Sequence, residues 1–317
     1  MNSSKICPDG SDRKFFRTRW NQRPAVIIDP APGSQGMKEA LSFFFIGSHL
    51  FSRGVSVPEI YLFDRDSGRL VVEDLGDVRL QDEALAFLSR EDFKGLEKLY
   101  VKAVETLAAM QARGTRGFDA KWCWQEPFYD SRLALEREGL YFLGAFLRSF
   151  MGLDFSEKAL KKELEGLALL VDNYDIGTWI LHRDFQSRNL MIRDETVFII
   201  DFQAARLGPP GYDLASLLHD PYVNMPWSLR SELFDFYCSK MKHIFREKVF
   251  ARQFHLVSIL RLLQALGAYG FLIKSKGRDF FRPFIPPALQ GLASLLEDWQ
   301  LTDCTELRRC IRAARLS

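Results

Sequence analysis

The chain has 317 residues, with 43 Lys or Arg against 41 Asp or Glu and a formal net charge of +2. A hydrophobic fraction of 47% and an aromatic fraction of 13% exclude a disordered chain, and the length suits two closely apposed lobes. Cys7, Cys123, Cys238, Cys304 and Cys310 are scattered, odd in number and without a CxxC pair, which excludes a disulfide framework and a zinc site. In chain order, Met1 to Arg19 is polar and lacks the apolar core of a secretory signal, so a soluble cytoplasmic protein is expected. Phe15–Trp20 and Ala25–Ile28 read as strands joined by the turn Asn21–Pro24. Pro30–Gly36 is a loop, Met37–Phe51 a helix closed by Gly54, and Pro58–Phe63 and Arg69–Glu73 two strands around the turn Asp64–Gly68.

From Glu83 onward the pattern turns helical. Phe93–Ala112, Ser131–Arg148, Ser156–Asp172 and most of Trp227–Trp299 carry apolar residues at helical spacing. The longest apolar stretch, Phe254–Ile273, is interrupted by Arg261 and Gln264 and reads as a buried helix rather than a membrane span. The fold expected is therefore α+β: a small β-rich N-lobe over residues 1–75 and a larger, mainly helical C-lobe over 76–317. No nucleic-acid or membrane partner is expected, and the chain is expected to be a monomer.

The strands in the helical half flank the most informative segment, His182-Arg183-Asp184-Phe185-Gln186-Ser187-Arg188-Asn189, followed by Ile200-Asp201-Phe202. Ile180-Leu181 precedes it, while Leu190–Ile192 and Val197–Ile200 read as a hairpin around Arg193–Thr196. Asp184 and Asn189 would then lie on a loop held by buried strands, with Asp201 at the end of the next strand. Phosphoryl transfer is mainly positioning and charge neutralisation, and uses a loop Asp for the hydroxyl proton with an Asn and a second Asp on magnesium. Asp184, Asn189 and Asp201 fit those roles in order. Against this stands the reading of Asp184 and Asn189 as loop-capping residues and of Asp201 as a turn residue.

Asp184–Asn189, then Val197–Gln203, then Gly208–Leu218 resemble the aminoglycoside phosphotransferase (choline kinase-like) family of small-molecule kinases. Within it, HRDFQSRNLM, IDFQAARLGPPGYDLASLLHD and the earlier VVEDLGD are similar to the bacterial cell-wall recycling amino-sugar kinases, which phosphorylate the anomeric hydroxyl of N-acetylmuramic acid and N-acetylglucosamine. The resemblance covers residues 10 to 225 well. It implies a protein-kinase-like bilobal fold, with ATP and magnesium as cofactors. It also makes Val72–Asp77 a hinge whose Glu73 and Leu75 meet the adenine edge, with Gly76 turning the chain.

The N-terminal half departs from the kinase pattern. Where a glycine-rich loop is expected stands Asp9–Arg17, with one glycine; Gly10 and Ser11 could offer backbone N–H groups, and Arg13, Lys14 or Arg17 could contact phosphates. The strand Lys is missing too, since Ala25–Ile28 is followed by Asp29. Lys38 and Glu39 are expected at the surface, and His182 as a histidine that braces the loop. Asp213 either caps a helix or supports the catalytic loop, and Arg188 meets phosphate, substrate or a surface carboxylate. Residues 228–317 hold fifteen Lys or Arg against eight Asp or Glu, which favours a neutral or anionic small-molecule acceptor over a polycation. The function expected is ATP-dependent phosphorylation of an amino sugar. Its alternatives are an aminoglycoside, choline or related metabolite kinase of the same fold, and a nucleotide-binding scaffold without turnover.

Overall fold

The computed structural model describes residues 4–6, 12–173, 178–242 and 246–316. The chain divides into two compact units, one formed by Met1–Phe128 with Trp179–Leu207, the other by Tyr129–Thr178 with Gly208–Ser317.

In the first unit β1 (Ser4–Ile6), β2 (Lys14–Trp20), β3 (Arg23–Asp29), β4 (Ile60–Phe63) and β5 (Leu70–Glu73) form an antiparallel sheet in the order β1-β2-β3-β5-β4. Trp20 pairs with Arg23, so the β2–β3 turn is two residues, Asn21 and Gln22, both with positive φ (47° and 66°). That conformation matches the right-handed twist of the flanking strands. The turn is shorter than the expected Asn21–Pro24, because Pro24 sits in β3 opposite Arg19, near the strand's start where a missing N–H is tolerated. Helix α1 (Ser34–Ser52) begins ahead of the expected Met37 and ends before Gly54, at φ 68°. After α2 (Leu80–Ser89), α3 (Phe93–Ala109) starts at Asp92, whose carboxylate accepts the Gly95 N–H at 2.9 Å.

The later segment of this unit brings β6 (Trp179–Leu181), β7 (Leu190–Arg193), β8 (Thr196–Ile199) and β9 (Arg206–Gly208). β7 and β8 form the expected hairpin, turned by Asp194 and Glu195 at φ 47° and 59°, whereas β6 pairs with β9. Neither β1 nor β9 follows from the sequence pattern, each being three residues long.

The second unit is helical. α4 (Ser131–Ala134) runs on through widened i→i+5 turns to residue 151, followed by α5 (Glu157–Leu169), α6 (Gly211–Leu218), α7 (Trp227–Met241), α8 (Glu247–Lys276), α9 (Ile285–Glu297) and α10 (Thr305–Leu316). α8 is apolar around most of its circumference because it is buried on most sides, packing on residues 142–151, α6 and α9. It is long and apolar enough to cross a membrane by composition, yet most of its apolar stretch lies inside this unit. Arg261, which interrupts it, is itself buried and donates from Nε to Ser216 Oγ at 2.8 Å. Buried Glu138 accepts hydrogen bonds from the hydroxyls of Tyr129 (2.5 Å) and Tyr212 (2.6 Å). The basic C-terminal segment is in part structural too: Arg308 donates to the carbonyls of Leu296 and Trp299 at the end of α9 (2.8 and 2.7 Å), where cations and donors are favoured.

Candidate active site

The β7–β8 ladder places the candidate metal ligands. Leu190 opposes Ile199, and one step beyond, the N–H of Ile200 bonds the carbonyl of Asn189 at 3.0 Å, so Asn189 and Asp201 emerge together at the open end of the hairpin. Asp201 takes a left-handed conformation (φ 65°), which an aspartate tolerates better than most side chains. His182 fixes the loop from behind: its Nε2 donates to the Ile200 carbonyl at 2.7 Å, the bracing role expected of it. Arg183, at φ 80°, reaches Gln125 Oε1 at 2.8 Å.

The side-chain hydrogen bonds leave the ligand oxygens open. Asn189 Nδ2 donates to the Asp184 carbonyl at 2.9 Å, turning Asn189 Oδ1 away as an available acceptor. Arg13 (2.5 Å) and Gln203 (2.9 Å) both bond Asp201 Oδ1, and Oδ2 has no hydrogen bond among the described residues. Burial acts to raise the pKa of Asp201, but the Arg13 charge and the bonds from Gln203 and Arg13 hold it below the usual carboxylate value. Its anionic form is therefore the resident one.

Asn189 and Asp201 line one cavity of about 390 Å³, a volume in the range of small-ligand sites. Its apolar walls include Val26, Ile28, Val72 and Met191, and its edge is the chain Glu73–Asp77. Gly76, at φ 84°, turns the chain there, as only a glycine does without strain. Arg17 clamps this edge, its Nε 2.6 Å from Asp74 Oδ2 and its Nη2 2.9 Å from Asp77 Oδ1. Arg193 binds Glu73 at 2.8 Å, and the N–H of Ile192 bonds the Val78 carbonyl at 2.8 Å, tying the edge to β7. Within it Leu75, like Asp77, has a backbone N–H and C=O that take no hydrogen bond among the described residues.

Of the site residues expected from sequence, Arg13, Glu73, Leu75, Asn189 and Asp201 all line this cavity. Asp184 adjoins it through its carbonyl bond to Asn189, while Gly10 and Ser11 lie outside the described residues. Arg17, weighed for phosphate contact, lines the cavity and pairs with Asp74 and Asp77. Arg188 lines the cavity and donates to Gln81 Oε1 at 3.1 Å. α6 has Pro210 at its N-cap position, so Asp213 does not cap it; Asp213 lies in the first turn, fully buried.

Glu39 is the residue that sequence reasoning misplaced. It is expected at the surface, yet its carboxylate lies 3.5 Å from Arg13 Nε with 18% of its side chain exposed. Burial raises its pKa against the pull of Arg13. A usable signal was the alternation of Arg13, Phe15 and Arg17, which places all three on one face of β2 and its lead-in.

Residues 5–246 match the phosphotransferase enzyme family, and the chain belongs to that family. It is 28% identical over 293 residues to the N-acetylmuramate/N-acetylglucosamine kinase of Neisseria meningitidis serogroup B, covering 90% of this chain and 82% of that protein. It is 30% identical over 219 residues to the Pseudomonas putida protein of the same name, covering 69% of this chain and 59% of its relative. Among solved structures, a choline/ethanolamine kinase family protein from Mesorhizobium loti superposes with a TM-score of 0.62 at 15% identity, over 100% of this chain and 93% of that one. The choline kinase LicA from Streptococcus pneumoniae gives 0.62 at 14% identity, over 93% and 94%. The α+β, kinase-like fold and the family resemblance read from the sequence are both borne out.

Proposed function

We propose that this protein transfers the γ-phosphoryl group of ATP to a hydroxyl of an amino sugar, most specifically the anomeric hydroxyl of N-acetylmuramate or N-acetylglucosamine, in cell-wall recycling. The observation that carries the phosphoryl-transfer reading is the pair of open oxygens, Asn189 Oδ1 and Asp201 Oδ2, on a cavity whose other end offers the unpaired backbone of Leu75. Adenine would lie along Glu73–Leu75 between Val26, Val72 and Met191, leaving the phosphates toward Arg13. An amide oxygen and a carboxylate oxygen form a hard-donor pair that suits magnesium, which needs few protein ligands when nucleotide phosphates supply the rest. Magnesium, when bound there, neutralises charge on the phosphates.

Asp184 orients the acceptor hydroxyl and takes its proton. Asn189, fixed by the Asp184 carbonyl, and Asp201, fixed by Gln203, hold their oxygens toward the phosphate end. In this reading residues 1–75 serve as the nucleotide-binding lobe and 76–317 as the catalytic and acceptor-binding lobe. The protein works in the cytoplasm as a monomer, on a small acceptor, without nucleic-acid or membrane partners. The amino-sugar acceptor rests on the names of the relatives at 28 and 30% identity. Purified Asp184→Asn and Asp201→Ala proteins should each lose ATP-dependent phosphorylation of amino sugars, and turnover near the unsubstituted level in either would overturn the assignment.

A further inference from the structure

The family's strand lysine has no counterpart on β3. The cavity-facing positions of that strand, Val26 and Ile28, are apolar, and Asp29 at its end pairs with Arg69 at 2.6 Å. A phosphate-binding cation must come from elsewhere. The cavity lining offers Arg13, Arg17, Arg79 and Arg188. Arg17 is bound by Asp74 and Asp77 at the hinge end, and Arg188 by Gln81. Arg79 leads into α2. Arg13 alone of the four pairs with Asp201.

We propose that Arg13, braced by Glu39, takes the place of the strand lysine as the contact to the nucleotide phosphates, and that in the nucleotide-free protein it rests on Asp201 and leaves that carboxylate as nucleotide and divalent cation enter. The geometry supplies both halves. Arg13 lies two residues before Phe15, in register with the cavity face of β2, and its guanidinium sits 5.4 Å from the Phe15 ring centroid. Glu39 projects from α1 and meets Nε, whereas Asp201 meets Nη2, so one carboxylate can hold the guanidinium while the other releases it. Gln203 donates to Asp201 Oδ1 at 2.9 Å and holds that carboxylate beside Arg13.

Charge balance argues the same way. Two carboxylates share one guanidinium, so the Arg13–Glu39–Asp201 cluster itself carries net negative charge. A divalent cation at Asp201 reverses the sign and releases Arg13 toward the incoming polyanion. Glu39 acts only through Arg13 and is a positioning residue.

The proposal rests on the phosphotransferase reading, and calorimetry on the full-length protein separates the two. Charge-assisted contacts to a phosphate are worth about 1.5–3 kcal/mol, so Arg13→Ala should weaken ATP binding by roughly 10- to 100-fold while adenosine binds as before. Arg13→Lys should restore part of the loss. Glu39→Gln should weaken ATP binding in the parent protein but add nothing in the Arg13→Ala background. Without nucleotide, Arg13→Ala should bind Mn2+ more tightly than the parent by electron paramagnetic resonance, because the competitor for Asp201 is gone. Unchanged ATP affinity in Arg13→Ala, an equal loss of adenosine binding, or unchanged Mn2+ affinity would each overturn the proposal and leave the enzyme assignment standing. A parent protein that binds neither ATP nor adenosine would overturn both.

Discussion

Gly47 in α1 controls how closely that helix approaches the turn carrying Asp201. A Cβ at this position would stand 2.9 Å from both Cε2 and Cζ of Phe202 and 3.0 Å from Cδ1 of Ile60. Carbon pairs prefer about 3.5–4.0 Å, so the ring would have to retreat by roughly 0.6–1.1 Å. Phe202 is fully buried and packs on Phe43 with ring centroids 4.6 Å apart, which denies it an easy escape. Overpacking of this kind costs about 1–3 kcal/mol. Alanine in place of glycine in a helix returns about 0.8–1.0 kcal/mol. The net effect of Gly47→Ala should be a loss of about 0–2 kcal/mol, with weakened ATP binding because Asp201 adjoins the displaced ring. Gly144, in the helix over 142–151, has nothing within 4 Å of a built Cβ and serves as the control. There the same substitution should stabilise by about 0.5–1 kcal/mol. Urea denaturation of both variants, with ATP titration of the first, checks the difference. If Gly47→Ala gains as much stability as Gly144→Ala and binds ATP normally, the close approach of α1 to Phe202 does not govern the site.

Glu138→Gln should cost about 1–3 kcal/mol in urea unfolding, because one of the buried Tyr129 and Tyr212 hydroxyls loses the carboxyl oxygen it bonds. Tyr129→Phe with Tyr212→Phe should recover part of that loss. Burial, with the Arg230 charge second, depresses the pKa of His219 to about 3 from an ordinary 6.5. The unfolded chain then binds the extra proton first as acid is added, so the stability His219 contributes is fully present above pH 6.5. It falls by up to about 1.4 kcal/mol per pH unit down to the folded value. His219→Gln should flatten that slope, measured by urea midpoints across this range. Asp184→Asn should abolish turnover while leaving ATP affinity unchanged in calorimetry, since the residue acts on the acceptor.

The hairpin holding Asn189 and Asp201 was legible because its apolar strands, polar turn and flanking motif are all local. The turn at Gly76 was legible for the same reason: a glycine shortly after a buried strand announces a turn. Glu39 was not, because a first-turn glutamate is ordinarily solvated and its burial depends on Arg13, a partner on another element. The pairing of Arg17 with Asp74 and Asp77 is likewise tertiary, linking β2 to the segment after β5. Three-residue strands such as β9 carry too little pattern to read, and their pairing depends on neighbours distant in sequence. In the basic excess of residues 228–317, composition does not distinguish structural cations such as Arg261 and Arg308, which serve packing and a helix end, from those available to a ligand.

The most direct test of the central claim is phosphorus NMR of the full-length protein with magnesium-ATP and each of N-acetylmuramate, N-acetylglucosamine, choline and an aminoglycoside. The account predicts an anomeric sugar phosphate from one or both amino sugars, absent with Asp184→Asn. Phosphorylation of choline or the aminoglycoside alone, or ATP left intact with every acceptor, would contradict it.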